Sequence, residues 1–406
     1  MAKVVELKEC AKTHLKDLAS EITTLIGHAR PAGKGLPMNC WSTNSEDINV
    51  ALTVLQAAGS SINDAITRFN IVFKANPGDA ASESMAKELA GFCQQMVSSL
   101  MLLPSVGASD SMVAFFATSS RAVLHSLKDV VDALLDTSKH AQINGLTGVV
   151  WRACKELQQA PKTNKLACRQ GLVFWSVAIK DTIDEFQEAA KNKKSTEETA
   201  DSTPLATATG DSSTSTKTSS ELEKMMGDLS MNDPGLQDND FDFNDDDDDD
   251  DMNYSPSELR CVDAALDVLR ASRRCLKAAN ESLNKLDSAK PSGSGEATGI
   301  SSDEEKRLSR SLAWAQALQG CLSKANDGAA ELGVSLYPPL NGGDLSARAE
   351  DLERALGEFC DVFDEQKGVE SGSSAGSGSV ADRKRPQLRE IVEETADALR
   401  VELAKL

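Results

Sequence analysis

The sequence predicts an all-α protein made of two antiparallel helical bundles joined by a long acidic disordered linker. Three observations support this prediction. Apolar residues recur at steps of three and four, and strand-like alternation is absent. Aromatic residues make up only 4% of the chain, whereas strands favour aromatic and β-branched side chains. The negative charge is concentrated in one internal stretch, which separates the helical patterns into two groups.

The acidic stretch lies between Ser195 and Pro256. It holds 18 acidic residues and two lysines, so it carries −16 of the formal net charge of −20. Self-repelling charge and low hydrophobicity do not offset the entropy that the chain loses on ordering, so we expect disorder here. The predicted domains are an N-terminal bundle at 1–194, the linker at 195–256 and a C-terminal bundle at 257–406.

The N-terminal part carries six helical patterns with short connections, which favours an antiparallel bundle. Pro77-Gly78 and Pro104 end two of them, because proline disfavours a helical residue before it and glycine permits the turn. In chain order, the patterns span 4–26, 48–73, 85–103, 112–134, a segment around Trp151, and Pro161 to Ala190.

The C-terminal part carries four more patterns, at 257–283, 308–332, 345–363 and 388–403, which again suits a bundle. The first of them places leucine or valine along a heptad seam, with Arg273 and Asn280 at two seam positions. Two interpretations remain open: a leucine-zipper helix that dimerises, and an amphipathic helix inside a monomeric bundle. The apolar seam residues are Leu259, Val262, Leu266, Leu269, Leu276 and Leu283.

No residue pattern indicates catalysis, so we predict no enzyme, no cofactor and no metal. The nine cysteines form no CxxC pair, and their odd number favours a reduced cytosolic or nuclear compartment. The catalytic and phosphate-binding motifs are absent, and two His–Asp pairs on shared helix faces are typical of chance. The acidic composition argues against a nucleic-acid partner. A membrane partner is not expected either, since no run of about eighteen apolar residues occurs.

Six short segments together resemble the cyclin-D-binding protein family, also called the Grap- and cyclin-D-interacting proteins. They occur in the family's order, with an acidic segment in the family's place between the helical parts. The segments are TRFNIVF (67–73), LLP (102–104), VVWRAC (149–154), APKTNK (160–165), LRASRRCLK (269–277) and VSLYPPL (334–340). The resemblance implies an all-helical, non-enzymatic protein that binds D-type cyclins and an adaptor protein, lowers cyclin-dependent phosphorylation of retinoblastoma-type repressors, and lowers proliferation.

From the resemblance we expect a cytoplasmic and nuclear regulator of the cell cycle that engages a D-type cyclin or another helical regulator. For the partner contact we predict Leu269, Arg273, Leu276 and Asn280, with internal packing of these residues as the alternative. A second hypothesis is a structural adaptor of the α-catenin and vinculin kind. A third, a chaperone that mimics nucleic acid, rests only on the aspartate run at 245–251.

Overall fold

The computed structural model describes residues 9–29, 37–75, 80–199, 254–286, 302–365 and 380–406. These residues form ten α-helices and contain no strand, which confirms the all-α prediction. Two short 3₁₀ turns, Leu103–Val106 and Thr137–Gln142, flank the fourth helix. The helices are α1 Glu9–His28, α2 Glu46–Ala75, α3 Ala80–Leu102, α4 Asp110–Leu135, α5 Ile143–Gln159, α6 Asn164–Thr199, α7 Pro256–Lys285, α8 Ser302–Val334, α9 Gly342–Glu365 and α10 Val380–Leu403.

Helix α6 differs from its predicted bounds at both ends. It begins at Asn164 rather than at Pro161, because the Thr163 hydroxyl accepts the Leu166 N–H at 3.2 Å and so caps the first turn. It continues to Thr199, so residues 195–199 of the predicted linker are helical. Residues 200–253 of that linker lie outside the described residues.

The chain forms two compact units, and each unit contains residues from before and after the acidic stretch. Unit 1 comprises Met1–Leu172, Ala278–Cys321 and Asp361–Ser377, and unit 2 comprises Val173–Lys277, Leu322–Cys360 and Gly378–Leu406. The predicted division into bundles at 1–194 and 257–406 therefore stays a prediction.

Unit 1 is built around the first five helices. Helix α2 packs against α3 and α5, while α4 packs against α1 and α5. The apolar stripes predicted from the sequence face inward, because burial of an apolar stripe is the main source of helix stability in a folded protein. Fully buried members include Leu55, Ile62, Ile66, Leu89, Met96, Phe116 and Leu127.

One asparagine side chain ties three loops of unit 1 together. Asn164, which is fully buried, accepts the Ser109 N–H at 2.7 Å and donates to the backbone carbonyls of Cys40 (3.0 Å) and Gly107 (3.3 Å). Ser109 in turn caps α4 through its hydroxyl, which accepts the Met112 N–H. Gly107 has a φ of 85°, a left-handed conformation that glycine adopts without steric cost. The connections before α2, α4 and α6 are thus fixed by one amide.

In unit 2 the turn after α8 is fixed by two tyrosines. Tyr254 is fully buried, and its hydroxyl donates to the Leu336 carbonyl at 2.8 Å. The Tyr337 ring meets the Phe186 ring edge-on, with centroids 5.1 Å apart, and its hydroxyl donates to Glu185. This hydrogen bond to a carboxylate raises the pKa of Tyr337. The turn lies in the VSLYPPL segment and is held against α6 and the start of α7.

One stretch of the described residues, 83–106, is long and apolar enough to cross a membrane by length and mean hydropathy, which is 1.3. It consists of most of α3 and the turn after it. Its side chains Leu89, Cys93 and Met96 are fully buried in the core of unit 1. About 39% of the apolar window is buried within the fold, and a core helix of a folded protein satisfies the same test of length and hydropathy.

Candidate protein-interaction surface

The structure places the four residues predicted to contact a partner on the inner side of α7. Leu269 and Leu276 are 0% and 3% exposed. In unit 2, Arg273 Nε donates to the Ser176 hydroxyl at 3.2 Å. In unit 1, Asn280 Oδ1 accepts a hydrogen bond from Arg169 Nε at 3.3 Å. All four side chains are occupied by contacts within the chain, which agrees with the alternative of internal packing.

A partner could reach Leu269 and Leu276 only if α7 separated from its neighbours. Such a separation would break the Arg273–Ser176 hydrogen bond and expose two leucines, at a cost of roughly 1.5–3 kcal/mol for each leucine. The assignment of these residues to a partner contact stays a prediction, and it requires this opening.

A different surface of unit 1 presents apolar side chains to solvent without any rearrangement. We call it the α2–α5 seam and define it by Ser60, Thr67 and Ile71 on α2 and by Trp151 and Gln158 on α5. Ile71 is 65% exposed and Trp151 is 47% exposed. Thr67 and Ile71 are four residues apart on one helix, so they lie on the same face one turn from each other.

Hydrogen bonds hold the two helices of the seam in register. Trp151 Nε1 donates to Thr67 Oγ1 at 3.0 Å, and Gln158 Nε2 donates to Ser60 Oγ at 2.7 Å. Beneath the surface, buried Asn70 donates to the Thr147 hydroxyl. The seam is therefore a preformed feature of the fold, with the Trp151 ring fixed at its polar edge.

The two helices also approach closely below the seam. A Cβ placed on Gly59 would lie 2.7 Å from Leu157 Cδ2, which is shorter than a van der Waals contact. Glycine at this position lets α2 and α5 come together. The Leu157 side chain therefore packs directly against α2 at Gly59.

The chemistry of the seam suits protein recognition. Tryptophan is enriched among residues whose truncation weakens a protein interface most, because it buries a large apolar area and has a donor for orientation. Arg68, the residue after Thr67 on α2, pairs with Glu88 of α3 at 2.9 Å.

Sequence reasoning missed the seam, although the sequence contains a signal for it. Ile71 and Trp151 lie off the apolar stripes that face the core of α2 and α5, and a large apolar residue off the stripe is expected at the surface. Both residues fall within segments that carry the family resemblance, TRFNIVF and VVWRAC. The resemblance marked the segments, but it did not show that they adjoin.

The described residues bring together no group of three histidine, cysteine or acidic side chains that could hold a metal ion. His14, which shares a helix face with Asp17 in sequence, lies with Nε2 3.5 Å from a Glu83 carboxylate oxygen, and both side chains are partly exposed. In unit 2 a groove of about 370 Å³ between α9 and α10 is walled by arginines and glutamates, and Arg400 pairs with Glu353 there.

The described residues define the class: an all-α protein that exposes apolar side chains along the boundary of two helices of unit 1. Residues 54–192 match the model of the family described as "Grap2 and cyclin-D-interacting, N-terminal". The match covers about a third of the chain, from α2 to α6, and confirms the predicted family resemblance. None of the curated proteins matches the chain.

Proposed function

We propose that the chain is a non-enzymatic regulatory protein of the cell cycle that binds a D-type cyclin, or another helical regulator, through the α2–α5 seam. By binding this partner, the protein would lower cyclin-dependent phosphorylation and so lower proliferation. The main support for the proposal is that the family match includes both helices of the seam. The family match at 54–192 includes most of α2 and all of α5, and these helices expose Trp151, which is hydrogen-bonded to Thr67, and Ile71, which lies one turn after Thr67.

The proposed mode of binding is a partner helix that lies along the seam. Such a helix would present apolar residues at steps of three and four, which suits a groove between two parallel or antiparallel helices. Ile71 and Trp151 would supply the apolar anchors. The Trp151–Thr67 hydrogen bond supports this role, because a ring already fixed in place loses less entropy on binding.

The acidic stretch at 195–256 would add selectivity for the partner rather than affinity. Its charge of −16 lies directly after the matched residues in sequence, so it would attract partners with basic surfaces and repel acidic ones. We place the activity in the cytoplasm and nucleus. Both compartments keep thiols reduced, and every cysteine whose side chain is described is a free thiol. Neither cofactor nor metal has a part in the proposed mechanism.

The test is a calorimetric titration of a purified D-type cyclin into the full chain and into single-residue variants. We expect Trp151→Ala to weaken binding at least tenfold, which corresponds to about 1.4 kcal/mol or more. Ile71→Ala is expected to weaken it by a smaller factor. The matched control is Val149→Ala, since Val149 is 45% exposed on the same helix but points away from α2, and this change should leave the affinity unaltered.

Two results would overturn the proposal in different ways. If Arg273→Ala and Asn280→Ala weaken cyclin binding while Trp151→Ala does not, the contact lies on α7 and the seam assignment is wrong. If the full chain binds no cyclin, and affinity capture recovers actin or junction proteins instead, the protein is a structural adaptor of the α-catenin and vinculin kind.

A further inference from the structure

The part of α6 that belongs to unit 2 exposes one face with an apolar residue at its start and a row of acidic residues after it. The residues of this face follow one another at steps of four and three, so they lie on one side of the helix. At about 1.5 Å per residue the face is about 21 Å long, which equals about four turns of a partner helix. The exposed residues are Phe174, Ala178, Asp181, Glu185 and Glu188.

The end of α8 and the turn after it lie against one flank of this face. A Cβ placed on Gly333 would lie 2.9 Å from Thr182 Cγ2, so the backbone of α8 meets α6 directly. The next residue, Val334, is 72% exposed. The Tyr337 hydroxyl donates to Glu185, and the Tyr337 side chain is half-exposed. Two apolar side chains therefore adjoin the middle of the α6 face.

Phe174 supplies a third apolar side chain, since it is 70% exposed. A phenylalanine is normally buried in a folded chain, because transfer of its ring out of water is favourable. Exposed apolar groups that gather on one surface indicate a site of interaction. We call this surface the α6–α8 face and define it by Phe174, Asp181, Glu185, Glu188, Val334 and Tyr337.

Lysines and arginines do not balance the acidic charges of the α6–α8 face. Among the residues whose side chains are described, Asp181 and Glu188 form no ion pair. Lys180 pairs instead with Asp184, off the face, at 2.6 Å. Glu185 accepts its hydrogen bond from a tyrosine, which is a neutral donor. The face therefore presents three carboxylates beside its apolar groups, and this combination is complementary to a surface that is both basic and apolar.

We propose that the α6–α8 face binds a basic amphipathic helix of another protein. The apolar residues of that helix, at steps of three and four, cover Phe174, Val334 and Tyr337. Its lysines or arginines meet the three carboxylates. The site lies on unit 2, whereas the α2–α5 seam lies on unit 1, so the proposal does not rest on the binding of a cyclin.

Charge favours this occupant over two others. The acidic stretch at 195–256 carries −16, so like charges oppose its binding to the carboxylates of the face. A second copy of the chain would bring the same face, and the net charge of −20 opposes such an association. A basic amphipathic helix gains from both parts of the face, because apolar contact supplies affinity and opposite charge supplies selectivity.

The experiment uses the full chain and a synthetic helical peptide of about 18 residues, which is about five turns. The peptide has leucine at steps of three and four, lysine elsewhere, and one photoreactive benzophenone. After irradiation and digestion, mass spectrometry should locate the crosslinks within residues 174–188 and 330–337. The affinity should fall severalfold when the NaCl concentration rises from about 0.1 M to about 0.5 M, because salt screens exposed charges.

Two variants separate the apolar contribution from the charged one. Phe174→Ala should weaken the binding of the peptide by about tenfold. Asp181→Asn combined with Glu188→Gln should also weaken it by about tenfold and should reduce its dependence on salt. The replaced residues are exposed, so the urea midpoint should stay unchanged. The matched controls are Val50→Ala and Asp129→Asn, at exposed positions of unit 1, and both should keep the wild-type affinity.

Three results would overturn the proposal. The first is crosslinks that fall only within residues 200–253, since the acidic stretch alone would then capture the peptide. The second is wild-type affinity in either α6 variant. The third is equal binding of a control peptide that carries glutamate in place of lysine. Trp151→Ala should bind the peptide as the wild type does, so a failure of the α2–α5 seam to bind a cyclin leaves this test unaffected.

Discussion

The indole nitrogen of Trp151 and the hydroxyl of Thr67 are 3.0 Å apart, and this hydrogen bond joins two helices that are 84 residues apart in sequence. The hydrogen bond lies at the surface of unit 1. Ile71, one helical turn after Thr67, is 65% exposed. A half-exposed tryptophan with its donor satisfied has a fixed orientation and an uncovered apolar face, which together favour recognition of another protein.

Replacement of Thr67 by valine should loosen the Trp151 ring without opening the core. The change keeps the size of the side chain and removes the acceptor, so the free energy of unfolding should fall by about 0.5–1 kcal/mol. A double-mutant cycle of Thr67→Val and Trp151→Phe, measured by urea unfolding, should give a coupling energy of about 0.5–1 kcal/mol. Strictly additive effects would show that the hydrogen bond contributes nothing to stability.

Two glycines on α8 should respond to alanine in opposite directions. A Cβ at Gly328 would lie 3.2 Å from the Leu352 Cα and 3.3 Å from its Cβ, atoms that cannot move without moving α9, so Gly328→Ala should destabilise the protein. At Gly320 no atom lies within 4 Å of the added Cβ. Gly320→Ala should therefore raise the free energy of unfolding by about 0.5–1 kcal/mol, because alanine favours the helix. Thermal unfolding of both variants decides whether α8 and α9 approach as closely as described.

Asn164→Ala should be among the more damaging polar substitutions in unit 1. It leaves the Ser109 N–H and the carbonyls of Cys40 and Gly107 without their partner in a buried site. We expect a loss of about 2–4 kcal/mol in the free energy of unfolding. Lys162→Ala, at an exposed position two residues earlier, should change it by less than about 0.5 kcal/mol. Equal effects of the two variants would contradict the role of Asn164 as the link between loops.

The two tyrosines of the chain provide a matched pair in unit 2. Tyr254→Phe removes the donor to the Leu336 carbonyl in a fully buried site, so it should cost about 1–2 kcal/mol. Tyr337 is 48% exposed, and water can replace its hydroxyl as the donor to Glu185, so Tyr337→Phe should cost less than about 0.5 kcal/mol. Urea unfolding of both variants gives the comparison.

Stability should fall at alkaline pH because buried thiols resist ionisation. Burial raises the pKa of Cys93, Cys154 and Cys168 from 9.0 to about 12. Below pH 9 these thiols are neutral in both states and their contribution is fully present. Between pH 9 and 12 only the unfolded chain ionises, so each thiol lowers the free energy of unfolding by up to about 1.4 kcal/mol per pH unit. Urea midpoints at pH 8, 9 and 10 should decline, and Cys93→Ala should make the decline shallower.

The helical stripes could be predicted from the sequence because they depend on local spacing. Ile62, Ile66 and Phe69 share one face of α2 by helix geometry alone, and the structure buries that face. The start of α6 could not be placed at the right residue, since Pro161 and Asn164 are both compatible with a helix start and the Thr163 cap decides between them.

The proposed interaction surface could not be predicted from the sequence, because it depends on which helices adjoin. The heptad pattern of α7 indicates an apolar face but not what covers it. Arg273 and Asn280 looked like breaks in a seam, whereas each one meets a polar partner about a hundred residues earlier in the chain. Conversely, Trp151 meets Thr67, one turn before Ile71, only because α2 and α5 are neighbours, a relation that no short stretch of sequence contains.

The pairing of α2 with α5 has a consequence for the order of synthesis on the ribosome. Thr67 is made 84 residues before Trp151, an interval of several seconds at a rate of about 5–20 residues per second. During this interval α3, which also packs against α2, can already cover part of its apolar stripe. The side that receives α5 stays open until the later helix emerges. A nascent chain that stalls between these points therefore exposes the α5-facing side of α2, including the contact around Gly59, and is a natural substrate for chaperones.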